Sequence, residues 1–550
     1  MSTETQAEKL LAFAAALDGE RRPWDALWQE LADVCHPRRG MITGGPQVGT
    51  PDRTRIVEAF DSTAQRACRT LANGQASRIT PMGARWFGLK PPEHLQNNRV
   101  AIRYFQEAGE TLSRKLADSN FYNRATEHYL DRGAFGTAAT MVVAGDGRKG
   151  LSFKSLPVGN FSIAHDDKDQ VNTLCLSFKR LPGDLKNMFP KTCPASIDKK
   201  MADPKGRLEP LEVKYIIRPR YERDPRKKDA LNKPFECVYL LVGEKCILEE
   251  SGFDRFPVPV SRWELWGDSP YGWAPSYHAL PEATQLNFLE QMLDTLAEVA
   301  AFPRVRYPSN LKGDVDYRAL GLTCYDPSNS QKPEEWLTGG RYDIGKDRAE
   351  IKRKAIEEAF FVPLFNAISN LSSDATAEQV RALLGESREL FHPIYANGIR
   401  EFQQPVLRRS FAVLLEQGEI PPPPGEILDR DELGYFLSDP EVEFTSPMAL
   451  ALEQSQLANF SDVIQTLEPL GINNPDVWDC FDLDAIGPAF ARYKGLPASF
   501  IRNEKAIAEI RSARAQAQQA QMAEQAAGAV QKLGGAPGIQ DLAGMAGMNA

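Results

Sequence analysis

The stretch from Tyr271 to Gly418 constrains this chain more than any other, because it reads as two helical arms that leave and return. It opens with Tyr271-Gly272 and Pro275. Leu286, Leu289, Leu293, Leu296 and Ala300 then form a stripe at helical spacing, which predicts a helix from about Pro281 to Ala301 with Pro281 in its first turn. A proline- and glycine-punctuated excursion follows from Phe302 to Gly345, with strand-like pieces at Arg304–Tyr307 and Leu322–Tyr325. A charged helix is expected from Lys346 to about Phe361, then a small polar loop, Asn366–Thr376, and a long helical pattern ending near Gly418. Pro393 and Pro405 fall inside that pattern and predict a bend. An out-and-back pair of helices with a loop at each end suits a ring better than an enzyme.

Two helices are expected to open the chain, Thr5–Leu17 and a second beginning at Pro23 and ending before Pro37. Asp61 is placed to cap a helix through Leu71, with Gly74 just past its end. A helix over Val100–Ala117 carries Ile102, Phe105, Leu112 and Leu116 on one face; with no interleaved basic residues, this reads as core rather than a base-stacking platform. Between about Ala138 and Trp266 the period changes to that of strands, divided by Gly, Asp and Pro turns. His165-Asp166-Asp167-Lys168-Asp169 lies between two of them and lacks the glycine and distal glutamate of a calcium loop, so a hairpin turn is expected. Beyond Gly418, Pro421–Pro424 is a stiff break, helical segments follow near Ser446–Leu467 and Pro488–Gly495, and Arg511–Gln531 reads as an Ala/Gln-rich helix. Gly534–Ala550 has a composition that predicts disorder.

Composition narrows the partners. Across 550 residues the formal charge is −9, against a protein that grips duplex nucleic acid through a basic footprint. Such a surface is compatible with one that DNA passes without sticking. No run of eighteen apolar residues predicts a membrane span, and Met1–Leu10 is polar, so the chain is expected to stay in the cytoplasm of the cell that makes it. Eight cysteines are scattered without a Cys-x-x-Cys, and Cys35-His36 has no partner pair, so buried free thiols are expected and structural zinc is not. No cofactor is expected.

Catalytic constellations are wanting. Gly340-Arg341-Tyr342-Asp343-Ile344-Gly345-Lys346-Asp347 has the glycine and lysine spacing of a phosphate-binding loop. That chemistry needs Ser or Thr after the lysine to ligate magnesium, and Asp347 would bring a carboxylate to the phosphates instead. His128 and Asp131 share a helical turn and could pair as base and orienter, but no nucleophile accompanies them. The alternative reading that rests on the imperfect loop is a nucleic-acid packaging ATPase.

The charged helix offers two readings. Lys346, Arg348, Lys352, Arg353 and Lys354 alternate with acids, and pairs such as Lys346–Glu350 and Lys354–Glu358 would make a solvated helix. If the helix lines a channel, the same cations become transient phosphate contacts in an acidic wall. Thr376 and Gln379 are poised as a capping box for the helix after the polar loop, whose candidates are Asn366, Ser369, Asn370, Ser372, Ser373 and Asp374.

Residues in this order also carry a resemblance. Tyr271-Gly272, Pro275, Ala279-Leu280 and Leu286-Asn287 resemble the segment entering the stem of head-to-tail connector (portal) proteins of short-tailed phages. Ala375-Thr376-Ala377-Glu378-Gln379-Val380 is similar to that family's Thr-Ala-Thr-Glu-Val signature, with Thr376, Ala377 and Val380 in register and a departure at Glu378 and Gln379. Asp61-Ser62-Thr63-Ala64, Leu71-Ala72, Thr80-Pro81 and Trp86-Phe87 resemble its N-terminal block, so the likeness runs from about Trp24 to Pro424.

The resemblance implies an α+β, mainly helical subunit. Its parts would be the N-terminal helical part of a wing (1–137), a β-rich wing (138–270), a first stem helix (271–301), a clip (302–345) and a second stem helix (346–361). A tunnel loop (362–376), a long kinked helix (377–420), a crown (421–505) and a tail (506–550) would follow. It further implies a ring of twelve copies at one capsid vertex of the virion, assembled in the host cytoplasm and passing double-stranded DNA. Major capsid and scaffolding proteins, terminase and tail adaptor proteins would be its partners. A channel-less tail adaptor or scaffold protein is the remaining alternative.

Overall fold

The computed structural model describes residues 3–43, 59–96, 98–145, 150–227, 229–301, 305–306, 334–335, 342–369, 391–431, 434–446, 448, 510–514 and 516. Two compact units divide the chain, 1–449 and 450–550; of the second, only the helical residues 510–514 and residue 516 are described. The first unit mixes helices and small antiparallel sheets.

Helix α1 is continuous over Thr3–Cys35, with Pro23 inside it, where two helices were expected. An interior proline costs about 3 kcal/mol, and packing on both sides of Pro23 offsets it. Ala7, Leu10, Ala14 and Leu17 bury against Cys175, Ile216, Val238 and Leu240 of the large sheet. Past the proline, Trp28 donates from Nε1 to the Phe135 carbonyl at 3.2 Å and to Tyr277 Oη at 3.1 Å.

Helix α2 spans Thr63–Ile79, so Gly74 lies inside it rather than beyond its end. A Cβ at Gly74 would stand 2.3 Å from the Phe365 ring, so this glycine serves close packing, not termination. Helices α3 (Arg99–Asp118) and α4 (Phe121–Phe135) follow strand β1 (Phe87–Lys90). Asn98 caps α3 by accepting from the Val100 and Ala101 amides. Phe105, Leu112 and Leu116 of α3 are buried as expected, while Ile102 is only half-buried.

The change of period after α4 yields eight strands: β2 (Thr137–Ala144), β3 (Leu151–Leu156), β4 (Phe161–His165), β5 (Val171–Arg180), β6 (Leu211–Pro219), β7 (Phe235–Leu241), β8 (Cys246–Phe253) and β9 (Val260–Arg262). They form an antiparallel three-stranded sheet, β3-β2-β9, and an antiparallel five-stranded sheet, β4-β5-β6-β7-β8. Short helices α5 (Pro182–Met188) and α6 (Ala195–Ala202) sit between β5 and β6. Asp166 Oδ1 accepts from the Lys168 and Gln170 amides at 2.9 Å each, making the β4–β5 connection an Asx-type turn.

Gly136 and Gly272 explain why the chain turns as it does at both ends of this β-rich part. Gly136 ends α4 at φ +75°, and a Cβ there would meet the Gly272 carbonyl oxygen at 2.2 Å. Reciprocally, a Cβ on Gly272 would meet the Gly136 carbonyl oxygen at 2.4 Å. Tyr271 beside it is buried, its ring centroid 5.1 Å from that of Trp28.

Helix α7 then runs Pro275–Ala301 and is longer than expected, with Pro275 rather than Pro281 at its first position. Short strands β10 (Val305–Arg306) and β11 (Glu334–Glu335) pair antiparallel. Helix α8 covers Tyr342–Ala359, starting four residues before the expected Lys346, and runs antiparallel to α7, with Gly345 against Leu293 and Lys352 reaching Glu282. Phe361 takes a left-handed φ of +55° and separates α8 from α9 (Val362–Ser369). Helix α10 occupies 391–398, passes through a π-helical turn at Ile399–Gln403 and continues as α11, Gln404–Glu416. The irregular turn stands directly before Pro405, which has no N–H to offer the Glu401 carbonyl. Finally, β12 (Asp429–Asp431) pairs with β13 (Gly434–Phe436), while β14 (Glu441–Phe444) returns to β1, with Phe87 opposite Phe444.

Candidate functional site

The α7–α8 hairpin holds the predicted cations. Small and apolar residues are buried on both arms: Ala349 and Ile356 of α8 and Leu286 and Leu293 of α7. A Cβ on Gly345 would stand 2.7 Å from Leu293 Cδ2, so this glycine lets the arms approach. Gly345 and Lys346 thus lie within a packed helix, and no phosphate-cradling loop exists at those two residues.

The five cations separate into two groups. Lys352 Nζ donates to Glu282 Oε2 at 2.6 Å and to Gln285 Oε1 at 2.7 Å, both on α7. Arg353 donates from Nε and Nη2 to Asp61 Oδ2 at 3.1 Å and also contacts Glu290. These two side chains tie α8 to α7 and to the start of α2. Lys346, Arg348 and Lys354 are exposed and have no ion pair among the described residues, so the expected Lys346–Glu350 and Lys354–Glu358 pairs do not form.

Asp61 is the residue whose importance to this site the sequence understated. The N-cap position of α2 is Ser62 rather than the expected Asp61, which precedes it and accepts from the Thr63 amide at 2.6 Å; Asp61 also receives Arg353, and Asn287 Oδ1 of α7 accepts from its backbone N–H at 3.2 Å. Burial opposes ionisation of its carboxyl, but the Thr63 hydrogen bonds and the Arg353 guanidinium outweigh that and hold it below the ordinary range.

The polar loop is shorter at its front than expected. Asn366 and Ser369 belong to α9, because Val362, Leu364 and Phe365 bury against their neighbours and carry the helix on. Asn370, Ser372, Ser373, Asp374, Thr376 and Gln379 lie outside the described residues.

A second polar cluster, at the meeting of α4, β9 and the π-helical turn, has no counterpart in any sequence motif. Glu401 accepts from the Arg262 amide at 2.7 Å, and from its Nε at 3.1 Å and Nη2 at 2.6 Å. Arg132, 1% exposed, donates to the Ile394 carbonyl at 2.7 Å and to the Arg262 carbonyl at 3.3 Å, with its guanidinium 5.2 Å from the centre of the Trp263 ring. Burial pushes the Arg132 pKa down to about 10, with Glu401 opposing. His128 does not pair with Asp131. Its Nδ1 is 2.8 Å from Thr140 Oγ1 and its Nε2 is 2.7 Å from Ser261 Oγ, while Asp131 receives Arg39. Burial, reinforced by Arg132, holds the imidazole pKa well below its ordinary value, so it is neutral.

Among the described residues no group of three or more His, Cys, Asp or Glu is placed to hold a metal, and no helix is long and apolar enough to cross a membrane. The described cysteines, 35, 68, 175, 193, 237 and 246, are free thiols. Among the described residues, the α7–α8 arrangement is a hairpin tied by ion pairs from Lys352 and Arg353, with Lys346, Arg348 and Lys354 exposed.

The family described as Bacteriophage head to tail connecting protein matches residues 7–501. The chain belongs to this family, as the resemblance in its sequence implies. It is 27% identical over 532 residues to the Portal protein of Salmonella phage epsilon15, covering 93% of this chain and 92% of that one. It is 28% identical over 527 residues to the "Probable portal protein" of Bordetella phage BPP-1, covering 94% and 93%. Among solved structures, a chain from the virion of a native gene transfer agent particle aligns over 76% of this chain and 91% of its own. Its identity is 12% and its TM-score 0.33.

Proposed function

We propose that this chain is a viral portal subunit, of which copies close into a ring at one capsid vertex and pass double-stranded DNA through the axis during packaging and ejection. The observation that carries the reading is the family match over residues 7–501, together with relatives named portal protein over nearly their whole length. The role is geometric rather than catalytic. In this reading α7 and α8 are the stem, 302–345 is the clip, the β-rich part is the wing, and 421–505 is the crown. The tunnel-loop role falls to 362–376, of which the residues from Asn370 on lie outside the described ones.

The internal ion pairs suit that role. A ring that repeats a subunit of charge −9 repels DNA over about a Debye length, roughly 8 Å at physiological salt. Lys346, Arg348 and Lys354 then offer transient phosphate contacts, while Lys352 and Arg353 hold the stem together. Capsid and scaffolding proteins, terminase and tail adaptor proteins are the partners this reading assigns, with assembly in the host cytoplasm and residence in the virion.

Electron microscopy of the purified full chain tests the reading. Closed rings of about twelve subunits with an axial hole are expected, the copy number following from the family resemblance. Open filaments or hole-free particles, both alone and with scaffolding protein added, overturn it.

A further inference from the structure

Between β5 and β6 the chain makes an excursion through α5 and α6, and that excursion has a core of its own. Leu185 of α5, Phe189 just after it and Ile197 of α6 bury against Val213, Leu241 and Leu248 of the five-stranded sheet. Two half-buried cysteines pack at the margin of this core: Cys193, in the link between the two helices, and Cys246, the first residue of β8. Leu241 stands opposite Val213 on one side and opposite Cys246 on the other. Residues directly opposite each other share a face, so Cys246 lies on the face that α5 and α6 cover. Strand β8 is the edge of its sheet.

The link and the strand are tied together on both sides of the two thiols. Thr192 donates its hydroxyl to the Leu248 carbonyl, and Ser196 donates its own to the Glu244 carboxylate. Numbers rise along the link as they fall along the strand, so the two segments run in opposite directions with Cys193 and Cys246 between the ties. Burial lifts the Cys246 pKa and the charges of Glu244 and Cys193 add to it, which puts the two sulfurs within electrostatic reach of each other. Burial also raises Cys193, so both thiols hold little thiolate at neutral pH and oxidise slowly. Cys35, Cys68, Cys175 and Cys237 are fully buried, so among the described cysteines an oxidant in water reaches Cys193 and Cys246 first.

We propose that Cys193 and Cys246 are a latent disulfide pair which, on oxidation, staples the α5–α6 excursion to the edge strand β8. With a glutathione-class disulfide as oxidant, one cysteine thiolate attacks a glutathione sulfur and expels glutathione thiolate. The second cysteine thiolate then attacks the protein sulfur of the mixed disulfide, forming the S–S bond and expelling the other glutathione. The two thiol protons end on the two glutathiones released; the protein loses two electrons and the oxidant gains two. The pairing does not depend on the portal reading, but its timing rests on it. A chain made in a reducing cytoplasm and carried out of it in a particle is a dithiol during assembly and a disulfide afterwards.

Peptide mapping of the full chain, equilibrated with oxidised glutathione and alkylated without reductant, tests the pairing. A peptide joining Cys193 to Cys246 is expected, and it should form about tenfold faster for each pH unit between 7 and 8, as the thiolate fraction rises below a raised pKa. Tryptic cleavage at Lys199 and Lys200 of α6 should slow about tenfold in the oxidised chain and recover on reduction, because the staple suppresses local opening. Cys193→Ser and Cys246→Ser should each take a single glutathione at the remaining thiol and show no protection.

Separate glutathiones on Cys193 and Cys246 of the wild-type chain, both thiols still free at equilibrium, or a disulfide from either to another cysteine overturns the proposal. So does a Cys193–Cys246 disulfide that leaves cleavage at Lys199 and Lys200 unchanged, since the excursion would then not be held by it. A pair already closed in chain alkylated inside the producing cell overturns the timing alone. Failure of the ring test above likewise removes the timing, while the peptide map still decides the pairing.

Discussion

Arg353 of α8 donates two hydrogen bonds of 3.1 Å to a single oxygen of Asp61, nearly three hundred residues earlier in the chain, and so fastens the hairpin to the start of α2. Asp61 is 9% exposed and Arg353 34%, which makes the pair stronger than a solvated surface bridge and weaker than a buried one.

Asp61→Asn keeps an oxygen for the Thr63 amide and removes the charge that Arg353 meets. We expect a loss of about 1–2 kcal/mol at pH 7, limited because Arg353 retains Glu290. The Asp61 carboxyl ionises more readily folded than unfolded, so its contribution is fully present above the unfolded value near pH 4 and fades as pH falls through the lower folded value. Denaturant titrations of the two proteins should therefore converge below about pH 4. A gap that does not begin to narrow as pH falls below about 4 would assign the effect to something other than the charge.

His128 predicts a second pH dependence, in a different window. The buried imidazole stays neutral while the unfolded chain takes up a proton near pH 6.5, so stability is full above that value and falls as pH drops below it. The slope from this one group is about 1.4 kcal/mol per pH unit. His128→Gln should lower stability at pH 7.5 through the Thr140 and Ser261 contacts, yet flatten the decline between pH 6.5 and 5. An unchanged slope would show that His128 is not the group responsible.

How far these contacts were legible differs with their range. Period and punctuation carried the strands from Thr137 to Phe253 and the two arms of the hairpin, because local spacing determines both. Two prolines and one glycine misled. Pro23 and Pro281 lie inside helices whose packing or position outweighs a missing donor, Pro275 takes the first position instead, and Gly74 is demanded by Phe365. The cations at 352 and 353 were visible, but their partners on α7 and at Asp61 were not, since helical spacing points Arg353 to Glu357 and offers Lys352 no acid at i+4. Arg262 and Glu401 are separated by more than a hundred residues, and no motif announces such a pair.

Gly74→Ala sets two magnitudes against each other. An alanine inside α2 gains about 1 kcal/mol of helix propensity over glycine. Against that, its Cβ would meet three atoms of the Phe365 ring within 2.8 Å, and overpacking of this kind costs about 1–3 kcal/mol. Phe365 is itself buried against Phe391, so it has little room to withdraw. A net loss is expected, and Gly74→Val should lose more. Equal or greater stability in the alanine variant would mean that α9 shifts freely on α2.

The cations of α8 should divide cleanly by experiment. Replacing Lys346, Arg348 and Lys354 together by alanine is expected to leave subunit stability within about 0.5 kcal/mol, since none has an ion-pair partner among the described residues. In assembled rings the same change should weaken duplex binding and lower the steepness of its salt dependence, which counts the phosphates neutralised. Lys352→Ala should do the reverse, costing stability with the salt slope unchanged, because its charge is engaged by Glu282. A triple variant with an unaltered salt slope would remove these three residues from the DNA path.

Glu401→Gln probes the buried cluster most directly. Arg262 and Glu401 are 1% and 8% exposed, and Arg132 lies close by, so this carboxylate faces two buried guanidinium groups. Removing its charge strands both, and the cost is expected at about 3–5 kcal/mol. Arg262→Gln added to Glu401→Gln should return a good part of that loss, because the remaining Arg132 bonds go to backbone carbonyls that the substitutions do not touch. A double-mutant cycle in chemical unfolding measures the coupling directly. If the double variant is no more stable than Glu401→Gln alone, the penalty arises from lost packing at the π-helical turn, and charge pairing is not what holds α10 and α11 against β9.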